Sequence, residues 1–244
     1  MRIDSLALQM RPRAPHEAAD LGVRLCQTTW RQVYPCYLLV AIPMALLSLS
    51  LFEISPWLPA LLMWWAKPWL DRSVVFVLAR AAFGQPTTVR DLWNEQREVW
   101  WRRFLLAWTW RRLSPWRAFT EPVYQLEGHG LFQLRRRVLQ LRRRHSGAAY
   151  MMTVAFTFAE LGLTLGLLSL VSWFGTIGQA FDFDIFFGDD SDLHTALLLT
   201  VAYLLAVLCI EPFYVAAGFG MYLNRRAELE AWDIEQEFRR AFAT

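Results

Sequence analysis

The chain has 244 residues, a net charge of +3 and a composition that is 55% hydrophobic, with 13 Trp and 17 Phe. Such a chain is too apolar and too aromatic to be disordered. The three cysteines, Cys26, Cys36 and Cys209, are widely spaced, which excludes a disulfide framework and a paired-cysteine metal site.

Four apolar segments are long enough to cross a bilayer, which takes about 20 residues of helix. They cover residues 33–52, 57–83, 148–174 and 193–223. A signal peptide is not expected, because the first apolar segment begins only at residue 33. A helical bundle buried in water is the less favoured alternative. We therefore predict an all-α integral membrane protein with four transmembrane helices.

Arginine and acidic residues are distributed unevenly between the segments that join these helices. Residues 1–32 hold five Arg and three acids, residues 84–147 hold thirteen Arg and five acids, and residues 175–194 hold five Asp and no basic residue. Short cytoplasmic flanks of membrane proteins carry the Lys and Arg excess. Both termini and residues 84–147 are therefore predicted to be cytoplasmic, and the acidic loop 175–194 external.

These boundaries divide the chain into five regions. They are an amphipathic amino-terminal segment 1–32, transmembrane helices one and two in 33–83, a Trp- and Arg-rich helical segment 84–147, transmembrane helices three and four in 148–223, and a tail 224–244. In the first region, Leu21, Leu25 and Thr28 recur at helical spacing. The tail places Ile234, Phe238 and Phe242 four residues apart, which also predicts an amphipathic helix.

The segment 84–147 opens with Thr88 and Asp91 at the spacing of a helix capping box. Trp93, Trp100 and Trp108 then share one helical face with Phe104. Tryptophan together with arginine is typical of a helix at the level of the lipid headgroups. Packing of this face against another cytoplasmic helix is the open alternative.

Residues 114–130 contain several helix breakers and predict a structured connection. After it, Leu131, Leu134, Val138 and Leu141 lie on one side of a basic helix. A basic cluster directly before a membrane span most often contacts anionic lipid. No nucleic-acid recognition fold surrounds the cluster, so membrane lipid is the predicted partner of Arg135, Arg136, Arg137, Arg142, Arg143 and Arg144.

Charged residues inside the apolar segments are the main candidate site. Counted along the helices, Lys67 and Glu211 lie ~20 Å from their cytoplasmic Arg anchors and Glu160 lies ~18 Å from the start of its span. The three residues are therefore expected at one depth, where an unpaired charge costs several kcal/mol. We predict that Lys67 pairs with Glu211 or Glu160. Asp71 and Arg72 follow closely enough to enlarge the cluster.

A short internal similarity relates the second and fourth spans. Lys67, Pro68 and Trp69 match Glu211, Pro212 and Phe213 in type and order. The match is compatible with a two-plus-two parallel repeat about an axis along the membrane normal, although it is short enough to arise by chance. Each proline removes a backbone donor, so a kink is predicted at Pro68 and Pro212.

Catalytic patterns are poor in this sequence. The four histidines, His16, His129, His145 and His194, have no metal-ligand spacing. No Gly-rich phosphate loop precedes a helix, and the Asp residues of the acidic loop lack the calcium-loop pattern. An enzyme, a metal and a cofactor are therefore not expected.

Several segments resemble a family of poorly characterised bacterial inner-membrane proteins. The resemblance rests on WWAKPWLDRSVVFVLARAAFG, WRRLSPWRAFTEPVYQLEG, the region of Glu160 and EPFYVAAGFGMYLNRRAELEAWDIEQEFRR. These look like the membrane proteins encoded beside MoxR-type AAA+ ATPases, von Willebrand A domain proteins, stage II sporulation protein M-like proteins and RDD-family proteins. The resemblance implies the bacterial inner membrane and partners among such proteins, and it attaches no activity. Some relatives carry a further extracytoplasmic region after the fourth span.

Two functions follow as hypotheses. The favoured one is a non-catalytic subunit or scaffold of an inner-membrane assembly, because three amphipathic cytoplasmic segments offer apolar surface to partners. The alternative is a transporter or lipid-handling protein that uses Lys67, Glu160 and Glu211. The same charged cluster also has a purely structural interpretation, as a buried polar contact that orients four helices.

Overall fold

A computed structural model of the protein describes residues 13–102, 104, 114–128, 130–175 and 193–230. These residues are helical and contain no strand. The α-helices are α1 Pro15–Thr28, α2 Trp30–Leu49, α3 Leu58–Ala82, α4 Val89–Asn94, α5 Arg117–Leu126, α6 Leu131–Arg142, α7 Ser146–Gly175 and α8 Leu193–Glu230. A π-helix, Arg97–Trp101, lies between α4 and α5. Most of the predicted acidic loop, the tail beyond residue 230 and Trp108 lie outside the described residues.

Within the described ranges, three helices are long and apolar enough to cross a membrane: α2, α7 as far as Val171, and α8. The second predicted span falls on α3. This helix is long enough to cross a membrane but carries too many charged residues to count as strongly apolar. Its 25 residues include Lys67, Asp71 and Arg72 within six positions. All three side chains are buried in the protein. The described residues therefore contain three strongly apolar helices that are compatible with a membrane.

The capping box predicted at Thr88 is confirmed. The Asp91 amide donates to the Thr88 hydroxyl at 3.3 Å, and the Thr88 amide donates to the Asp91 carboxylate at 2.9 Å. The pKa of Asp91 lies below its ordinary value chiefly because of that backbone hydrogen bond. α4 is nevertheless short, because the chain leaves the α-helical pattern after Asn94 and continues as a π-helix.

Residues 114–130, predicted as a structured connection, contain the helix α5. Pro122 lies inside this helix and accounts for the missed assignment. Residues 117–123 of α5 are all buried, so this part of the helix is enclosed on every side. α5 packs against α8 and α3, so its position matters for the site described below.

α8 is the helix against which most of the others pack, including α1, α3, α5 and α7. Small residues allow two of these close approaches. A Cβ at Gly220 would lie 2.9 Å from the Cα of Gly22 in α1, and a Cβ at Gly218 would lie 2.5 Å from the Cβ of Ala118 in α5. Close approach through small residues is the usual way in which membrane helices associate. These contacts place α1 and α5 on neighbouring parts of α8.

Both α3 and α8 continue as helices through Pro68 and Pro212, where kinks were predicted. One turn before Pro212, the Tyr34 hydroxyl donates a hydrogen bond to the Cys209 carbonyl at 2.8 Å. α2 also contains two internal prolines, Pro35 and Pro43. Proline is more frequent in membrane helices than in soluble ones, because neighbouring groups can bond the backbone atoms that it frees.

We expect Gly220→Ala to lower the free energy of unfolding by about 1–3 kcal/mol, the usual cost of overpacking a tight interface. The added methyl group would collide with the backbone of Ala18 and Gly22. The matched control is Gly166→Ala in α7, where nothing lies within 4 Å of an added Cβ. Thermal unfolding of both variants in one detergent checks this. Equal midpoints for the two variants would contradict the close contact between α1 and α8.

Candidate charged site and its cleft

Lys67 in α3 is the centre of a buried ion-pair cluster. Its Nζ lies 2.5 Å from Glu160 Oε2 in α7 and 3.0 Å from Glu211 Oε2 in α8. Lys67 and Glu211 are 4% and 2% exposed, while Glu160 is 16% exposed. The ammonium group therefore contacts both of the carboxylates that the sequence offered as alternatives, and it joins three helices at one level.

Arg117 of α5 is the second cation of this cluster, and the sequence pattern did not reveal it. Its guanidinium pairs with Glu211, lies 3.3 Å from Asp71 Oδ2 and stacks 5.1 Å from the centroid of the Tyr214 ring. Burial disfavours the charge on Arg117, but the carboxylates of Asp71 and Glu211 more than offset that cost. The pKa of Arg117 accordingly lies above its ordinary value, and the group stays charged.

Arg72 belongs to a neighbouring buried pair instead of the Lys67 cluster. Its Nε lies 3.8 Å from Glu121 Oε1 in α5, and its Nη1 donates to the Trp100 carbonyl at 3.4 Å. The Gln125 side chain donates to the Arg72 carbonyl at 2.9 Å. Arg117, Glu121 and Gln125 thus recur every four residues on the side of α5 that meets α3. That spacing was the available sequence signal for the missed residues.

The cluster around Lys67 has more acids than bases. The carboxylates of Asp71, Glu160 and Glu211 face two cations, Lys67 and Arg117. With all five groups ionised, these residues carry an excess of one negative charge. The excess can be neutralised by a bound proton or by a cation from outside the chain.

A cleft of about 860 Å³ reaches the charged cluster between α3, α7 and α8. Its far end is lined by Pro56 and Trp57, near the turn that joins α2 to α3, and by Ala196 and Thr200 of α8. Apolar and aromatic side chains form most of its wall. Its charged lining residues are Lys67, Arg117, Glu160 and Glu211. The cleft is therefore largely apolar, with a line of threonines on α7 and charged side chains in one place.

α7 has two different long faces. Thr153, Thr157, Glu160 and Thr164 recur at positions i, i+4, i+7 and i+11, and all four line the cleft. On the opposite side, Ala155, Ala159, Gly162 and Gly166 repeat at the same spacing and are exposed. This pattern was present in the sequence but was hidden by the high overall hydropathy of the segment. It distinguishes an inward polar face from an outward small-residue face.

The arginines predicted to contact lipid are divided by the structure. Arg137 pairs with Glu127 at 3.0 Å and with Glu230, and the Arg142 guanidinium stacks 3.4 Å from the centroid of the Trp116 ring. These two arginines hold α6 to its neighbours. The side chains of the other four are exposed, and they are Arg135, Arg136, Arg143 and Arg144.

The predicted aromatic face is divided as well. Trp100 is 5% exposed, and its indole donates to Ser73 in α3 at 2.9 Å. Trp100 therefore packs inside the protein, as in the alternative of packing against another helix. Trp93 is exposed, and its ring contacts that of Trp100 at 6.4 Å between centroids. No group of three or more metal-ligating side chains occurs in the part of the chain that the structure describes.

Comparison with protein-family models, with curated proteins and with solved structures finds no match to this chain. The resemblance to the inner-membrane proteins encoded beside MoxR-type ATPases stays a prediction. What the site itself defines is a membrane-compatible helical protein with a buried mixed-charge cluster at a cleft.

The pairing in the cluster predicts a non-additive mutant cycle. Lys67→Met should destabilise the protein by about 3–5 kcal/mol, because three carboxylates are then left with one cation. Glu211→Gln should cost less, because Lys67 keeps Glu160 and Arg117 keeps Asp71. The double variant should be more stable than Lys67→Met alone, since the carboxylate that faced the lysine is removed with it. Thermal unfolding in detergent measures all four proteins. Glu160→Gln is the comparison variant, and it should cost less because Glu160 is partly exposed. Additive losses would exclude the pairing.

Proposed function

We propose that this chain is a multi-pass membrane protein that binds an amphiphilic molecule in the cleft between α3, α7 and α8. The observation that carries the proposal is the cleft itself, which combines a long apolar wall with one charged position. Known ligand sites have volumes of about 300–1,000 Å³ and a few convergent polar groups. An amphiphile has the matching distribution, an apolar chain with one polar end.

The proposal includes α3 as a fourth membrane-crossing helix. Its 25 residues span ~37 Å, which exceeds the ~30 Å of a hydrocarbon core. Its charged residues support this placement, because charged groups within membrane helices usually face the bundle interior and pair there. Lys67, Asp71 and Arg72 are all buried and paired in that way. The arginine distribution supports both termini on the cytoplasmic side. A bacterial inner membrane is what the sequence resemblance implies.

The Asp71–Arg117 pair and the Lys67–Glu160 pair have different surroundings. This difference favours ligand binding over a purely structural role for the cluster. Asp71 is fully buried and does not line the cleft, so its contact with Arg117 connects α3 to α5. Glu160 lies on α7, a helix that packs chiefly against α8, and it reaches across the cleft to Lys67 in α3. The Lys67–Glu160 pair is therefore accessible to a molecule in the cleft.

Filling the cleft should prevent retention of the amphiphile. Ala60→Phe and Thr157→Phe each place a ring into the cleft. Native mass spectrometry of protein purified in mild detergent should show bound lipid on the unmodified chain and a several-fold loss on both variants. Ala155→Phe, on the opposite face of α7, is the matched control and should retain the lipid. Loss of lipid in all three variants, or in none of them, would contradict the proposal.

A second candidate function, a subunit of a membrane assembly, is favoured by the outward face of α7. Ala155, Ala159, Gly162 and Gly166 form an exposed small-residue face, and added Cβ atoms at both glycines would meet nothing within 4 Å. Such faces allow close packing between membrane helices. A stage II sporulation protein M-like or RDD-family partner rests on the sequence resemblance alone, as does a link to a MoxR-type ATPase.

This second function predicts that Gly162→Leu together with Gly166→Leu abolishes association without unfolding the protein, because bulky side chains keep helices apart. Size analysis in mild detergent at native expression, with identification of any stoichiometric partner, measures the association. Phe158→Leu, also on exposed α7 surface, serves as the control. A monomer that carries no partner before mutation would exclude the assembly.

A further inference from the structure

We infer that the amphiphile bound in the cleft carries an ammonium group, held by Glu160. This inference rests on the proposed amphiphile-binding function and names the chemical class of its ligand. Three observations carry it: the charge excess of the cluster, the incomplete pairing of Glu160, and the aromatic residues around the cleft.

The charge excess favours a cationic ligand group. Three carboxylates share two cations around Lys67, so one carboxylate has no cation of its own among the described residues of the cluster. An anionic headgroup would increase the imbalance and would compete with Glu160 and Glu211 for Lys67 and Arg117. A cationic headgroup would complete the balance while these ion pairs remain in place.

Glu160 is the carboxylate that a ligand can reach. Among the described residues its ion-pair partner is Lys67, which Glu160 shares with Glu211. Glu211 by contrast also pairs with Arg117, and Asp71 does not line the cleft. Glu160 is 16% exposed, against 2% for Glu211. Its second oxygen therefore offers the most accessible negative charge at the cleft.

Aromatic rings complete the chemistry of an ammonium site. Trp64, Phe156, Tyr203 and Tyr214 line the cleft beside the cluster. The rings of Tyr203 and Tyr214 already lie 5.8 Å from Lys67 Nζ and 5.1 Å from the Arg117 guanidinium. Aromatic faces attract cations, and aromatic cages are a common recognition site for alkylated ammonium groups. The cleft therefore surrounds its charged position with groups that stabilise a cation.

Two sources share this chemistry: a phospholipid with an ethanolamine or choline headgroup, and a free lipophilic amine. Single-chain probes test the shared chemistry first. Dodecyltrimethylammonium, dodecylammonium, dodecyl sulfate and dodecanol have the same apolar chain and differ in charge. They are added below micellar concentrations to the purified full-length protein in maltoside detergent, and binding is followed by the thermal unfolding midpoint.

Both ammonium probes should raise the unfolding midpoint more than dodecanol does, and dodecyl sulfate should not. Glu160→Gln should weaken ammonium binding about tenfold or more and weaken dodecanol binding much less, because dodecanol carries no charge for the carboxylate to bind. Thr164→Lys places a cation one helical turn from Glu160 and should weaken ammonium binding several-fold more than Thr164→Met, an uncharged side chain of similar length at the same position of the cleft wall. The lysine variant keeps the test informative if the glutamine variant folds poorly.

The outcomes separate the two proposals. Equal binding of all four probes, lost in Ala60→Phe, would overturn the ammonium inference and leave amphiphile binding intact, with a proton neutralising the excess charge. Absence of any binding would overturn both. If ammonium probes bind, native mass spectrometry after equilibration with phosphatidylethanolamine, phosphatidylcholine and phosphatidylglycerol distinguishes the sources. Retention of the first two over the third identifies a phospholipid as the source. Equal retention of all three excludes a phospholipid headgroup and leaves a free lipophilic amine as the source, which the tight binding of dodecylammonium supports.

Discussion

The contact of Lys67 with Glu211 and Glu160 is the interaction on which the arrangement of α3, α7 and α8 depends. Removing a charge from water costs several kcal/mol, and burying several charges is tolerable only when each has partners at close range. Here one ammonium group reaches carboxylates on two other helices, and Arg117 adds a second cation from α5. The charges consequently restrict how the helices can be placed, since sliding any one helix along its axis would separate a buried pair.

Close helix packing around α8 brings the charged side chains near enough to pair. Gly218 lets α5 approach near enough for Arg117 to meet Glu211, and the contact of Gly220 with Gly22 places α1 beside it. α7 differs from these helices because it lies against α8 while leaving a gap toward α3. The gap is the cleft, and the Lys67–Glu160 pair is an ionic contact that crosses it. A single polar stripe on α7 therefore serves both packing and the lining of the site.

The two candidate functions use opposite faces of the same helix, so they are compatible with each other. A ligand would occupy the polar inner face of α7, and a neighbouring membrane helix would occupy the small-residue outer face. Because Glu160 connects α7 to α3, occupancy of the cleft and the position of the outer face would be mechanically related. Such a relation requires that the ligand bind more tightly when α7 is in one of two positions than when it is in the other.

The sequence by itself determined the helical class, the apolar segments, the capping box at Thr88 and the set of membrane-depth charges, because these depend on local composition and helical periodicity. Only the tertiary structure decided that Lys67 contacts both Glu160 and Glu211. It also decided that Arg117 joins this cluster and that Arg72 pairs with Glu121. Those choices depend on the rotation of each helix about its axis and on close approaches between residues roughly 90 positions apart in the chain. The helix α5 escaped prediction for the same reason, whereas the burial of Trp100 was one of two alternatives that the sequence left open. Proline and tryptophan have local preferences that packing against α3 and α8 overrides.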